Sequence, residues 1–333
     1  MRISFVLVLG VMGCIGQAQD ILYPEPLDFQ DEAFQETYAQ SVLQLESGGT
    51  SIFIRTENAH LLEIDRHGQV LGVFHLPEEG PKHALRIKTF ALHGDRLAMV
   101  NQSRQVYLLE KQKVVSSFQT AEFEFEDFYP IANGMGFGFD GRQLVLPSQQ
   151  NGKLAVVLDA SGKVQKRAGE AVAFAEDLKW DTSYFNATFW VKQGGFWYCL
   201  FKFARVLRIY DNAFKLVKEV ELTSDEIFQS DSELYEPESE HRKKVRVPIP
   251  HFSDFKVKGK FAYALCRGAL LVIDLENGEV AHRYHFHGKG ADFSGVPQGQ
   301  RLNMMEVAVL DDGHAVLAHP ALLWNHDLWL VKL

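Results

Sequence analysis

The chain has 333 residues, 46% hydrophobic and 23% charged, with a formal net charge of −9. That balance gives no support to a nucleic-acid partner, which needs a basic face. Three cysteines, Cys14, Cys199 and Cys266, are too few for a disulfide framework, and at this length a core must divide into domains or spread over repeats.

The first residues read as a processing signal. Met1-Arg2 is a positive start, and Ile3 to Ile15 is an apolar run too short to span a bilayer. Small residues at Gly16 and Ala18 place a cut before Gln19, giving a signal peptide over residues 1–18. A competing reading takes Val11-Met12-Gly13-Cys14 as a lipobox with a lipid anchor on Cys14. Both readings predict export to the periplasm, the outer surface or the medium. No later stretch is long and apolar enough for a transmembrane helix. An oxidising compartment would permit Cys199 to pair with Cys266, but corresponding strands of neighbouring repeats stand too far apart for the bond if their Cα atoms exceed its reach.

From there a unit of four short strands recurs. Gly-marked turns fall at Gly48-Gly49, Gly94, Gly141, Gly194-Gly195, Gly259 and Gly313. Each is followed by a strand such as SIFIRT, RLAMVNQ or FWYCLFKF, then by a second strand ending in Asp or Glu, such as LLEID at Asp65 and LAVVLD at Asp159. A polar turn and an outer strand such as KVVSSFQ or EVAHRYHF complete the unit. The most regular copy is Gly259–Phe286. Radial repetition of such units is the sequence form of a β-propeller, and six turns predict six four-stranded antiparallel blades in one domain over 19–333. The blades fall at roughly 31–76, 77–119, 120–169, 170–222, 223–287 and 288–333, with an insertion at 223–250. The sixth unit ends on its third strand at Leu333, so residues 20–29 are expected to close it, with Pro24 and Pro26 tolerable only on an outer strand.

The stretches LLEIDRHGQVLGVF, LAVVLDASGKVQKR and LLVIDLENGEVAHR resemble the NHL/TolB-like class of bacterial extracytoplasmic six-bladed propellers. The resemblance covers nearly all of the mature chain. Its motifs are turn chemistry and core, so it implies an architecture that hosts many activities.

In a propeller the short hairpin turns share one end of the ring, and the long crossings between blades share the other. Function is expected on the long-loop end. Acids and aromatics gather there: Glu126, Asp127 and Tyr129 on one crossing, and Asp177, Trp180, Asp181 and Tyr184 on the next. His251 and Asp254 begin an inner strand, Asp292 lies on the last crossing, and His319 and His326 flank the final turn. These residues suit a binding module for a protein, peptide or glycan, acting as a monomer and needing no cofactor. The alternative is a propeller-type enzyme, a metal-dependent lactonase or hydrolase or a lyase. A calcium ion at the channel mouth would then be held by Glu126, Asp177, Asp254 and Asp292. His282, His285 and His287 read as an exposed outer strand, because alternation puts only two of them on one face. No linear catalytic motif of the G-x-S-x-G, H-E-x-x-H, P-loop or C-x-x-C kind is present.

Overall fold

The structure, a computed structural model, describes residues 19–22, 24–27, 42–56, 61–74, 87–111, 113–121, 136–148, 150–172, 186–222, 251–266, 268–287, 304–318 and 328–333. Two short N-terminal strands, β1 (Gln19–Leu22) and β2 (Glu25–Pro26), precede the repeats. Blade 1 comprises β3 (Val42–Ser47), β4 (Ser51–Thr56), β5 (Leu61–Asp65) and β6 (Val70–Phe74). Blade 2 is β7 (Ile87–His93), β8 (Arg96–Asn101), β9 (Gln105–Glu110) and β10 (Lys113–Gln119). Blade 3 is β11 (Gly138–Phe139), β12 (Leu144–Pro147), β13 (Lys153–Leu158) and β14 (Val164–Glu170). Blade 4 is β15 (Thr188–Gln193), β16 (Phe196–Phe201), β17 (Val206–Asp211) and β18 (Leu216–Glu221). Blade 5 is β19 (Phe252–Lys258), β20 (Phe261–Cys266), β21 (Ala269–Asp274) and β22 (Val280–Phe286). Blade 6 contributes β23 (Glu306–Val309), β24 (His314–Ala318) and β25 (Leu328–Lys332). The innermost strands β3, β7, β11, β15, β19 and β23 neighbour one another in chain order, and β23 returns to β3. The result is a closed six-bladed β-propeller.

Each feature of the repeat has a local cause. The six inner hairpins turn on Gly49, Gly94, Gly141, Gly194, Gly259 and Gly313, all with positive φ, a conformation that costs glycine nothing. In blades 1, 3, 4 and 5 the outer hairpin turns on an aspartate whose Oδ1 accepts backbone N–H groups of its own turn, whereas blade 2 turns past Glu110 with Lys111 at φ 48. Asp65 accepts from His67 and Gln69, Asp159 from Ser161 and Lys163, Asp211 from Lys215, and Asp274 from Glu276. Blade 4 departs from this pattern. Phe214 takes the left-handed position, φ 61, that Gly68 and Gly162 hold elsewhere, and stacks on Trp197 at 5.4 Å.

The cores lie between blades, where facing sheets interleave. Leu200, Phe255, Ala262 and Leu271 fill the space between blades 4 and 5; Leu45, Ile54, Ala308 and Val316 fill that between blades 6 and 1. At Gly138 a Cβ would come within 2.5 Å of Trp197, so the indole of blade 4 requires glycine on blade 3.

The outer strands carry a repeated irregularity. In blades 1 to 5 the register between third and fourth strands slips one residue past the hairpin, leaving Leu71, Val115, Gln165, Val217 and Ala281 as bulges. A bulge on an edge strand breaks the row of free N–H and C=O groups that would otherwise template aggregation.

Closure by the N-terminal segment is present, but it is divided between two blades rather than made by one strand over 20–29. Glu25–Pro26 pairs antiparallel with β25 as the fourth strand of blade 6, and Leu27 N donates to Leu328 O at 2.9 Å. Because Leu27 N points at β25, strand alternation turns the Pro26 nitrogen outward, where its missing N–H costs nothing. Gln19–Leu22 instead adds a fifth, parallel strand to blade 5, from Gln19 opposite Arg283 to Leu22 opposite Phe286. The segment thus covers the outer edges of both blades at the seam.

Candidate functional site

Strand order sorts the connections by end. The inner and outer hairpins close one end of the ring. The ends of every other connection, including the spans 122–135, 173–185, 223–250, 288–303 and 319–327, emerge at the opposite end. Of the twelve candidate residues, Glu126, Asp127, Tyr129, Asp177, Trp180, Asp181, Tyr184, Asp292, His319 and His326 lie on these spans, outside the described residues. His251 and Asp254 are described, and both are buried. His251 sits just ahead of β19, its N–H donating to Lys202 O at 2.8 Å, and its ring lies 6.2 Å from that of Phe252.

Asp254 belongs to a cluster of charge that sequence reasoning missed. Asp254 and Lys256 project from β19, Glu306 from β23 and Glu46 from β3, with Arg55 near the end of β4. Lys256 Nζ reaches past blade 6 to Glu46 Oε1 at 2.7 Å and approaches Asp254 Oδ1 at 3.2 Å. The residue of blade 6 at the corresponding register is Ala308, small enough to leave that path open. Asp254 Oδ1 also accepts from Phe255 N at 2.7 Å, and Oδ2 from Val307 N at 2.8 Å. Asp254, Glu306 and Arg55 lie in the halves of their strands nearer the long-loop end, and Lys256 and Glu46 carry the cluster along β19 and β3 towards the hairpin end.

Three carboxyls face two cations in this buried space, so one excess negative charge must be removed. Burial, reinforced by the neighbouring Asp254, holds the Glu306 carboxyl well above the usual carboxylate range, and burial also raises Glu46. Burial opposes the charge on Lys256, but Asp254, Glu46 and Glu306 together outweigh it and keep the ammonium charged beyond its ordinary range. Arg55, with less compensation, is lowered to about 10 by burial, against the pull of Glu306.

The same inner-strand position stitches blade to blade. Val307 N of blade 6 donates to Asp254 of blade 5, and Leu45 N of blade 1 to Glu306 Oε2 of blade 6 at 3.4 Å. Phe90 N of blade 2 donates to Gln44 Oε1 of blade 1 at 3.2 Å, and Gln44 Nε2 returns a bond to Phe90 O at 2.7 Å. At the junction of blades 3 and 4, where Gly136 has no side chain, Trp190 N uses Gly136 O instead, at 2.7 Å. A polar residue one step ahead of an apolar residue in the inner strands of blades 1, 5 and 6 (LQLE, SDFK, MEVA) is the signal that could have found this.

A calcium ion at the channel mouth would require Asp254 to share oxygens already engaged by two N–H groups and an ammonium. Among the described residues no three His, Cys, Asp or Glu side chains converge as a ligand set. Cys199 and Cys266 are both buried, and no disulfide joins them.

Comparison with known proteins adds the fold. A protein from Bacteroides fragilis described as exported superposes with a TM-score of 0.55, at 10% identity, over 95% of this chain and 96% of that one. The likeness is one of fold. BamB from Moraxella catarrhalis (TM-score 0.44, 10% identity, 88% of this chain and 86% of that one) and glutaminyl cyclase from Myxococcus xanthus (0.39, 14%, 74% and 89%) are more distant and carry no functional argument. No protein family and no curated protein matches the chain in sequence. The expected resemblance to bacterial extracytoplasmic propellers therefore holds at the level of architecture.

Proposed function

We propose that this propeller is an exported binding module that takes a protein, peptide or glycan across its long-loop end. One observation carries the reading. Strand connectivity delivers the ends of every long connection to a single end of a rigid ring, and those connections hold the acidic and aromatic residues Glu126, Asp127, Tyr129, Trp180, Asp181 and Tyr184. The charged residues beneath them are occupied in holding blades 5, 6 and 1 together, which makes that end a stiff platform. Aromatic faces beside carboxylates suit sugar rings and basic or aromatic peptide side chains.

The test is a panel of immobilised glycans and peptides probed with the native protein and with two loop variants. One combines Asp127→Asn with Tyr129→Ala, the other Trp180→Ala with Tyr184→Ala. A ligand bound by the native protein and lost by at least one equally stable variant supports the reading. A ligand whose binding both variants retain, and which Phe196→Ser at the opposite end abolishes, overturns it.

A further inference from the structure

Eight large apolar side chains are exposed among the described residues, and six share one location. Leu71 is 51% exposed, Val114 41%, Val115 60%, Val164 41%, Leu216 46% and Val217 57%. All lie at the outer-hairpin corners of four consecutive blades, 1 to 4, on or beside the bulge of each outer strand. In blades 2 to 4 an exposed lysine immediately precedes the apolar step: Lys113-Val114, Lys163-Val164 and Lys215-Leu216. The aspartates of these corners, Asp159 and Asp211, turn an oxygen back onto backbone N–H groups of their own hairpins. The pattern stops at blade 5, whose corner is acidic and small, with Glu276, Glu279 and Ala281, and accepts Lys218 Nζ on its carbonyls. A chain of net charge −9 therefore presents an arc of paired lysine and aliphatic residues at one end of its rim.

We propose that this arc docks on an anionic lipid surface. Charge complementarity names the partner: lysines gain from a negative surface while their stems and the adjacent valines and leucines enter its apolar boundary. The contacts are repeated once per blade around a curve. A fluid plane can receive such separated insertions, whereas a folded protein partner would need a matching arc. The course of the chain agrees. The strand β1 runs parallel to β22, which rises from the Glu276–Gly278 corner, so the chain enters β1 from the hairpin end of the ring. Gln19 therefore lies at the hairpin-side start of β1, the end of the ring on which the arc lies. The proposal is independent of the ligand-binding reading, which concerns the other end.

The test is co-sedimentation of the exported protein with phosphatidylglycerol or phosphatidylcholine vesicles. It carries Cys14→Ser throughout, so that no acyl chain contributes. Retention on phosphatidylglycerol alone, released by salt, is expected. Lys113→Glu, Lys163→Glu and Lys215→Glu together should weaken it by at least about a hundredfold. The pair Val115→Asp and Val217→Asp should weaken it by about tenfold or more. Lys153→Glu, a reversal at the start of β13 and away from the arc, should leave binding unchanged, and all variants are matched by melting temperature. Failure to bind phosphatidylglycerol, undiminished binding by the triple variant, or an equal loss with Lys153→Glu overturns the proposal.

Discussion

Lys256→Met removes one of the two cations of the buried cluster while keeping most of the apolar stem. The native ammonium is 12% exposed in its side chain and serves two carboxylates, at 2.7 and 3.2 Å. Stripping one member from such a buried group, leaving carboxyls uncompensated, costs about 3–5 kcal/mol. At this chain length that corresponds to a fall in melting temperature of about 4–7 °C. An exposed pair provides the contrast: Arg66–Asp312, at 48% and 37% side-chain exposure, should contribute about 0–1 kcal/mol. The pH dependence separates electrostatics from lost packing. Glu306 and Glu46 have raised values in the folded state, so their stabilising protonation is complete below the unfolded carboxylate value and is lost as pH rises through the folded one. Lys256 is raised too, so its contribution is complete below the unfolded lysine value and intact across the neutral range. Without Lys256 the carboxyls are harder to ionise. The deficit of the variant should therefore be largest near pH 8 and shrink towards pH 5, where they take up protons. Scanning calorimetry at the two pH values is the measurement. A deficit below about 2 °C at pH 8, or one equal at both pH values, would refute the account of the cluster.

Four further outcomes are expected. Gly138→Ala must displace the Trp197 ring and should cost about 1–3 kcal/mol by overpacking, whereas Gly195→Ala, with open space around it, should cost far less; denaturant melts compare the two. Deleting residues 19–27 uncovers β22 and β25 together and removes buried Leu27, so it should lower stability by at least about 3 kcal/mol, and an unchanged melt would contradict the observed closure. Burial pushes the Cys199 thiol far up and Cys266 is equally enclosed, so neither should react with a thiol reagent until the protein unfolds, as peptide mapping would show. Millimolar calcium should not raise the melting temperature, because the oxygens of Asp254 are already engaged; a rise abolished by Asp254→Asn would reverse that expectation.

Much of the ring was legible because its determinants are local. A glycine with positive φ at each inner hairpin and an aspartate capping the outer hairpins of blades 1, 3, 4 and 5 recur at readable intervals. The blade 4 corner was harder to read, since Phe214 occupies the glycine position, and its ring stacks on Trp197 while Asp211 makes the usual turn bonds. The division of the N-terminal segment was not legible either. Two proline-interrupted fragments can serve two edges as readily as one, and only the positions of β22 and β25 decide. The charged cluster escaped for a similar reason. Glu46, Asp254, Lys256 and Glu306 lie up to 260 residues apart, and each alone looks like the polar half of an ordinary alternating strand. Their meeting is a property of ring closure, which brings blades 5, 6 and 1 together. Of the candidate residues, Asp254 joined that cluster, and those on the long connections await the binding experiments.

The seam also fixes the order of events in biosynthesis. Strands β1 and β2 are made before the other described strands, yet their partners β22 and β25 belong to the last two blades, so the ring cannot close until β25 has been made. Contacts of such sequence separation are slow to form and leave edges exposed meanwhile. A ring that waits for β25 stays open at its seam while the earlier blades are being made. A product truncated before Leu328 would leave β2 without its partner strand and the last blade open, a form that proteolysis can distinguish from the finished ring.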